Sequence, residues 1–142
     1  MRVINDGMLQ IGEVAERAAL SLRTVRYYEE MGLLEPAKRT DGGFRLYTAA
    51  HVDRLALIKR MKPLGFTVQQ MRELLDARET LADEEAEDDA REIARERLSG
   101  FAVLAAGACD GLREQLAAGE QFVKQLRREA RRRPATAAAG TD

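Results

Sequence analysis

Residues 21–34 read SLRTVRYYEEMGLL and set two guanidinium groups, Arg23 and Arg26, against two adjacent phenols, Tyr27 and Tyr28. The whole chain holds only three tyrosines, so two side by side single out this stretch. Guanidinium groups neutralise phosphates and can donate two parallel bonds to a guanine edge. A phenol hydroxyl bonds a phosphate oxygen while its ring braces neighbouring side chains. Arg23 and Tyr27 stand four apart and share a face if the stretch is helical. Tyr28 falls in the apolar spacing of Leu22 and Val25, so it is expected in the core. Arg26 has a plainer alternative, a surface pair with Glu29 or Glu30, which is worth little. The chemistry on offer is recognition of a polyanion. Bond-making chemistry lacks its parts: His51 and Cys109, each the single residue of its type, lie 58 positions apart. No phosphate-binding loop or paired-carboxylate motif accompanies them, so no enzyme is expected.

The elements that must position these residues are legible nearby. Ile11, Val14, Ala15 and Ala18 repeat with helical spacing. Ser21 is a good N-cap for a second helix running to about Met31, with Gly32 as terminator. Helix, short turn, helix is the helix-turn-helix unit, whose second helix enters the DNA major groove. Pro36 breaks the pattern, and Asp41-Gly42-Gly43 is a hairpin turn signal. Phe44 and Leu46 alternate with Arg45 and Tyr47, which predicts a small two-stranded wing. On it Arg45 and Tyr47, with Lys38 and Arg39 nearby, would grip the DNA backbone. Thr48 caps a third helix with Val52, Leu55, Ile58 and Met61 on one face; Lys59 and Arg60 read as a solvated face. Lys62 is placed for another phosphate contact. Thr67 and Gln70 have capping-box spacing ahead of a fourth helix that presents Val68, Met71, Leu74 and Leu75.

The second half changes character. Residues 83–89 hold six acids in seven positions, and residues 127–133 hold five arginines in seven. Acids near the start and bases near the end both suit the dipole of one long helix. A helix over 83–133 would run about 75 Å. Apolar or small residues at 101, 104, 108, 112, 116, 119, 123, 126 and 130 form a seam that nothing else in the chain can cover. It asks for a second copy, as a coiled coil does. Gly100, Gly107, Gly111 and Gly119 each cost about 1 kcal/mol in a helix interior. They permit close helix approach, or mark a kink or break. Cys109 lies near the midpoint, so in a symmetric antiparallel pair the two copies would meet near the two-fold axis. A disulfide there would report oxidation, although a small buried apolar residue is the plainer reading. The acids at 83–89 suit a solvated helix start better than a hard-cation site. Residues 134–142 read as a disordered tail.

Composition bounds the rest. The chain has 142 residues, 33% of them charged, which favours long helices with solvated faces. Residues 1–70 carry 11 Lys+Arg against 8 Asp+Glu, net +3, while residues 71–142 carry 12 against 16, net −4. A mildly basic front half suits a polyanion. No apolar run is long enough for a membrane span, and the first ten residues lack the apolar core of a secretory signal. One cysteine fits a reducing cytoplasm.

The stretch IGEVAERAALSLRTVRYYEEMGLLEPAKRTDGGFRLYT, followed by HVDRLALIKRMKPLGFTVQQMRELL, resembles the MerR family of bacterial transcription regulators over about residues 8–76. TVRYYEEMGLL with GGFRLYT and LGFT is a specific combination. Two positions depart from the family pattern: Ala19 stands where glycine is usual, and Pro63 precedes LGF. The resemblance implies a mainly α fold: a winged helix-turn-helix DNA-binding domain with a small β-hairpin wing (8–78), then a long antiparallel coiled-coil dimerisation helix (79–133). It implies a cytoplasmic, nucleoid-associated homodimer on pseudo-palindromic promoter DNA, acting with RNA polymerase by bending and untwisting an overlong promoter spacer. Arg23, Thr24, Arg26 and Tyr27 match its recognition helix, Arg45 and Tyr47 its wing, and Lys62 its second wing. An architectural DNA-bending or recombination accessory protein of the same fold is the alternative. The cysteine pattern of the family's metal sensors is missing, so neither metal nor cofactor is expected. No appended drug-binding domain is expected after Arg133, and the effector is left open.

Overall fold

The computed structural model describes residues 7–36, 38–39 and 41–134. Expectations for the first six residues and for the tail from 135 onward fall outside them. The order of elements is β1 (Leu9–Gln10), α1 (Ile11–Ala18), α2 (Leu22–Glu30), β2 (Lys38–Arg39), β3 (Arg45–Tyr47), α3 (Ala49–Met61), a 3-10 turn (Lys62–Leu64), α4 (Val68–Ala82) and α5 (Asp88–Arg131).

Local chemistry sets most of these ends. Ser21 Oγ accepts the Thr24 N–H at 3.0 Å and starts α2. Gly32 ends it with φ +81°, its N–H donating to Glu29 O while the Leu33 N–H donates to Tyr28 O. That double bond pattern satisfies carbonyls a helix end leaves orphaned. A Cβ on Gly32 would also lie 3.3 Å from the Arg72 guanidinium. Thr67 and Gln70 form the expected capping box at α4, Thr67 Oγ1 accepting the Gln70 N–H at 3.0 Å. At α3 the Thr48 N–H donates to His51 Nδ1 at 2.9 Å, so a histidine closes that cap.

The core gathers Val14 from α1, Val25 and Tyr28 from α2, Leu33 and Leu34 from the following turn, Leu55 and Ile58 from α3, and Leu75 from α4, all buried. Burying one such side chain contributes about 1.5–3 kcal/mol. The wing differs from expectation. It has three strands in the order β1-β3-β2, because Leu9–Gln10 pairs antiparallel with β3 (Leu9 opposite Tyr47) on the side away from β2. On the central strand β3, Leu46 and Tyr47 are both buried although consecutive side chains point opposite ways, so the sheet is covered on both faces there.

The predicted single helix over 83–133 begins later, at Asp88, and α4 continues through position 78 to Ala82. Asp83 is extended, and its Oδ1 accepts the Glu85 N–H at 2.9 Å. Aspartate competing locally for backbone donors is what favours a turn over a helix. The acidic run therefore divides between this turn and the first turn of α5. Gly100, Gly107, Gly111 and Gly119 all lie inside α5 and none interrupts it.

Packing divides the chain after Val103. In the first unit, α5 buries Ala94 and sets Phe101 with its ring centroid 5.8 Å from that of Phe66. In the second unit the helix exposes Leu104, Leu112, Leu116, Phe122, Val123 and Leu126.

Candidate nucleic-acid interface

Helix α2 sorts its side chains by spacing. Val25 and Tyr28 turn inward and are buried. Arg26 and Tyr27, three and four positions after Arg23, are exposed with it and share the opposite face. Among the described residues neither arginine has an ion-pair or hydrogen-bond partner, so Arg26 does not pair with Glu29 or Glu30. Tyr27 is 45% exposed, its ring centroid 5.6 Å from that of the buried Tyr28, which holds it at the surface. Thr24 is half-buried and belongs to the cap, its hydroxyl accepting a 2.8 Å bond from Ser21 Oγ.

Glu29 occupies a flank of the same helix and faces the wing. Its Oε1 accepts from Arg45 Nη1 at 2.7 Å, and its Oε2 accepts from the Tyr47 hydroxyl. The expectation that Tyr47 reaches DNA is therefore corrected: its side chain is buried, with its hydroxyl on Glu29 and its ring edge-on to His51. Strand alternation alone placed it outward; the third strand and α3 enclose it. Arg45 stays 40% exposed beside α2.

The far end of α2 is tied down by two arginines. Arg72 on α4 donates to Met31 O, and Arg54 Nε on α3 donates to Leu33 O at 2.6 Å. Arg54 also pairs with Glu79 of α4. Lys59, read from sequence as part of a solvated face, donates to Ala19 O at 3.0 Å and Ala18 O at 3.3 Å, capping α1 across the turn. Ala19 holds φ +56° and ψ +46°, the left-handed conformation that glycine fills more readily. His51 sits among these ties. Burial holds its pKa below the ordinary imidazole value, and Arg54 adds to the effect; a hydrogen bond to the Glu35 backbone opposes both.

Together these residues build a capped helix-turn-helix with a β-sheet wing and a cationic, phenolic outer face. The family model described as MerR HTH family regulatory protein matches residues 9–78. The HTH-type transcriptional regulator HmrR of Rhizobium leguminosarum bv. viciae is 40% identical over 91 residues, covering 64% of this chain and 68% of that protein. The chain belongs to the MerR family. The solved transcription regulator PbrR691 from Ralstonia metallidurans CH34, in complex with lead(II), is 30% identical with a TM-score of 0.54, covering 85% of this chain and 87% of that one. The mercuric resistance operon regulatory protein of Bacillus cereus is 46% identical over 66 residues, covering 46% of this chain and 50% of its own length. The alignments to several of the curated MerR relatives thus span about half of those proteins.

Within this MerR fold, the residues expected at the interface are placed unequally. Arg23, Arg26 and Tyr27 share the outer face of α2, and Arg45 on the adjoining strand is paired with Glu29 of that helix. Arg39 lies opposite Arg45 in the strand pair; the expectation for its side chain falls outside the described residues. Lys62 is exposed at the start of the 3-10 turn after α3, a separate element. Cys109 is half-buried on α5. Arg54 and Arg72 were not singled out from sequence, Glu29 was weighed only as a surface partner of Arg26, and Lys59 only as part of a solvated face. Their partners are 16 to 41 positions away, beyond any local pattern. Phe44, expected as part of the alternating wing strand, lies just before β3 and is 66% exposed.

Proposed function

We propose that the chain is a sequence-specific DNA-binding regulator of transcription that acts as a homodimer. The carrying observation is the exposed set Arg23, Arg26 and Tyr27 on one face of α2, with Arg45 beside it. Helix α2 would lie in the major groove, as the second helix of such a unit does. Arg23 and Arg26 are open for guanine edges or phosphates, and Tyr27 for a phosphate oxygen. Arg45, Arg39 and Lys62 would hold the flanking backbone, with Thr24 keeping the helix start in register. Half of a palindromic site would go to each copy, and the exposed apolar residues of α5 from Leu104 to Leu126 supply the surface for pairing in antiparallel fashion.

By analogy with the family, the dimer would bend and untwist promoter DNA so that RNA polymerase can use it. Among the described residues no three His, Cys, Asp or Glu side chains form a group suited to a metal ion, and no metal effector is assigned. No helix among them is long and apolar enough to cross a membrane.

Mobility-shift titrations test the reading with a duplex from the chain's own upstream region against a scrambled duplex. The expected preference is about 10³-fold or more. Arg23→Ala and Arg26→Ala should weaken binding and lower the salt slope by about one per protomer for each phosphate interaction removed. Equal affinity for the two duplexes would remove the basis for the proposal. Transcription in vitro from the bound promoter, changed in a regulator and unchanged in a purely architectural protein, separates the two roles.

A further inference from the structure

Glu29 carries the wrong charge for a surface that meets phosphates, yet it lies between the cationic face of α2 and the wing. Both of its carboxylate oxygens are occupied by donors from β3: Arg45 Nη1 at 2.7 Å on Oε1, and the Tyr47 hydroxyl on Oε2. Its side chain is 12% exposed, while that of Arg45 is 40% exposed. A guanidinium has five N–H donors in a planar fork. The ion pair at one nitrogen tethers the guanidinium beside α2, while the Arg45 side chain stays 40% exposed, so further donors can reach a phosphate. The carboxylate is thus a joint between recognition helix and wing, and it orients the one wing cation whose side chain is described in contact with α2.

We propose that Glu29 is a positioning residue for DNA recognition, setting Arg45 at a fixed distance from Arg23, Arg26 and Tyr27 so that helix and wing meet phosphates together. This rests on the DNA-contacting role given to Arg45 above. Simple charge counting has the opposite sign, since deleting an acid beside a polyanion strengthens attraction. Positioning requires weaker binding, because Glu29→Gln removes the charge that holds the Arg45 guanidinium, and a freed Arg45 regains side-chain motion. The rest of α2 has separate anchors in the Arg72–Met31 and Arg54–Leu33 bonds, so neutralising Glu29 is expected to loosen the wing and leave the helix in place.

The test uses the full chain and a labelled duplex from its own upstream region, with affinity measured across a salt series and a thermal melt on every variant. Glu29→Gln should bind about tenfold more weakly, with the salt slope lowered by about one per protomer. The double variant Glu29→Gln/Arg45→Ala should bind no more weakly than Arg45→Ala. Tyr47→Phe, which keeps the charge and removes one bond, should weaken binding less than Glu29→Gln. Unchanged or tighter binding by Glu29→Gln, alongside weaker binding by Arg45→Ala, would overturn this inference alone. So would additive effects in the double variant. Unchanged binding by Arg45→Ala would overturn the wing reading together with this one. If Glu29→Gln melts too low to assay, Glu29→Asp, which keeps the charge and shortens its reach, forms the corresponding cycle with Arg45→Ala, and additivity there refutes the joint.

Discussion

Ala19 shows how much one backbone conformation weighs. An L-residue in the left-handed region costs about 1–2 kcal/mol, and glycine's extra chain entropy returns about 0.5–1 kcal/mol of that. Ala19→Gly is therefore expected to stabilise the protein by about 0.5–1 kcal/mol. A thermal melt should shift upward by about 2–4 °C; a lower midpoint would show that the Lys59 bonds to this turn depend on the methyl-bearing residue. At this scale the sequence was readable wherever a side chain answers to its own neighbours. Ser21, Gly32 and the pair Thr67 and Gln70 did what their types dictate, and Tyr28 went to the core as its spacing required. Tyr47 was misread for the same reason in reverse. Its local alternation points outward, but its environment is made by β1, Glu29 and His51, none of which the alternation contains.

Among elements, the joint between the end of α2, β3 and α3 runs through His51. Its Nδ1 accepts the Thr48 N–H, which requires the unprotonated nitrogen, and its ring stacks edge-on against Tyr47. The charged groups beside it in the same crevice are Glu35, Arg54, Asp76 and Glu79. Because burial lowers the folded pKa, the unfolded chain takes up the proton first as pH falls. The stabilisation is then full above about pH 6.5 and is lost as pH drops below it. Urea midpoints should fall between pH 7.5 and pH 5. His51→Gln, whose amide oxygen can still accept the Thr48 N–H, should show a smaller fall over that window. An equal fall in both proteins would assign the pH dependence to other groups. Element identity was largely legible, since three-and-four spacing and capping residues are local. The connections were not, because an arginine reaching a carbonyl 41 positions away, as Arg72 reaches Met31, leaves no periodic trace.

For the whole molecule, the exposed apolar face of α5, proposed above for pairing, is the feature with the largest consequence. Leu112 and Leu116 are 44% and 62% exposed, one helical turn apart. Leu112→Glu/Leu116→Glu is expected to yield a monomer in sedimentation velocity with its thermal melt retained. Its affinity for a two-half-site duplex should fall by about 10²–10⁴-fold, the advantage of binding both halves at once. A dimer that survives the change would move the interface elsewhere. In the proposed antiparallel dimer the two copies of Cys109 would lie near the two-fold axis: a disulfide between copies on peroxide treatment, absent in Cys109→Ser, is the outcome that would give it a redox role, and non-reducing electrophoresis reads it directly.

Taken alone, the order of residues determined the helical elements, their caps, the turn before the wing and the cationic face of α2, because each depends on neighbours within a turn or two of chain. It also exposed the seam on the long helix, since amphipathic spacing survives without knowledge of the partner. Only the tertiary structure decided that β1 completes the sheet, that Tyr47 is interior, that Asp83 starts a turn before α5, and that Glu29 clasps the wing. Those outcomes depend on which distant groups meet, and the free energy of a buried hydroxyl or carboxylate is set by the partner it finds after the chain has folded.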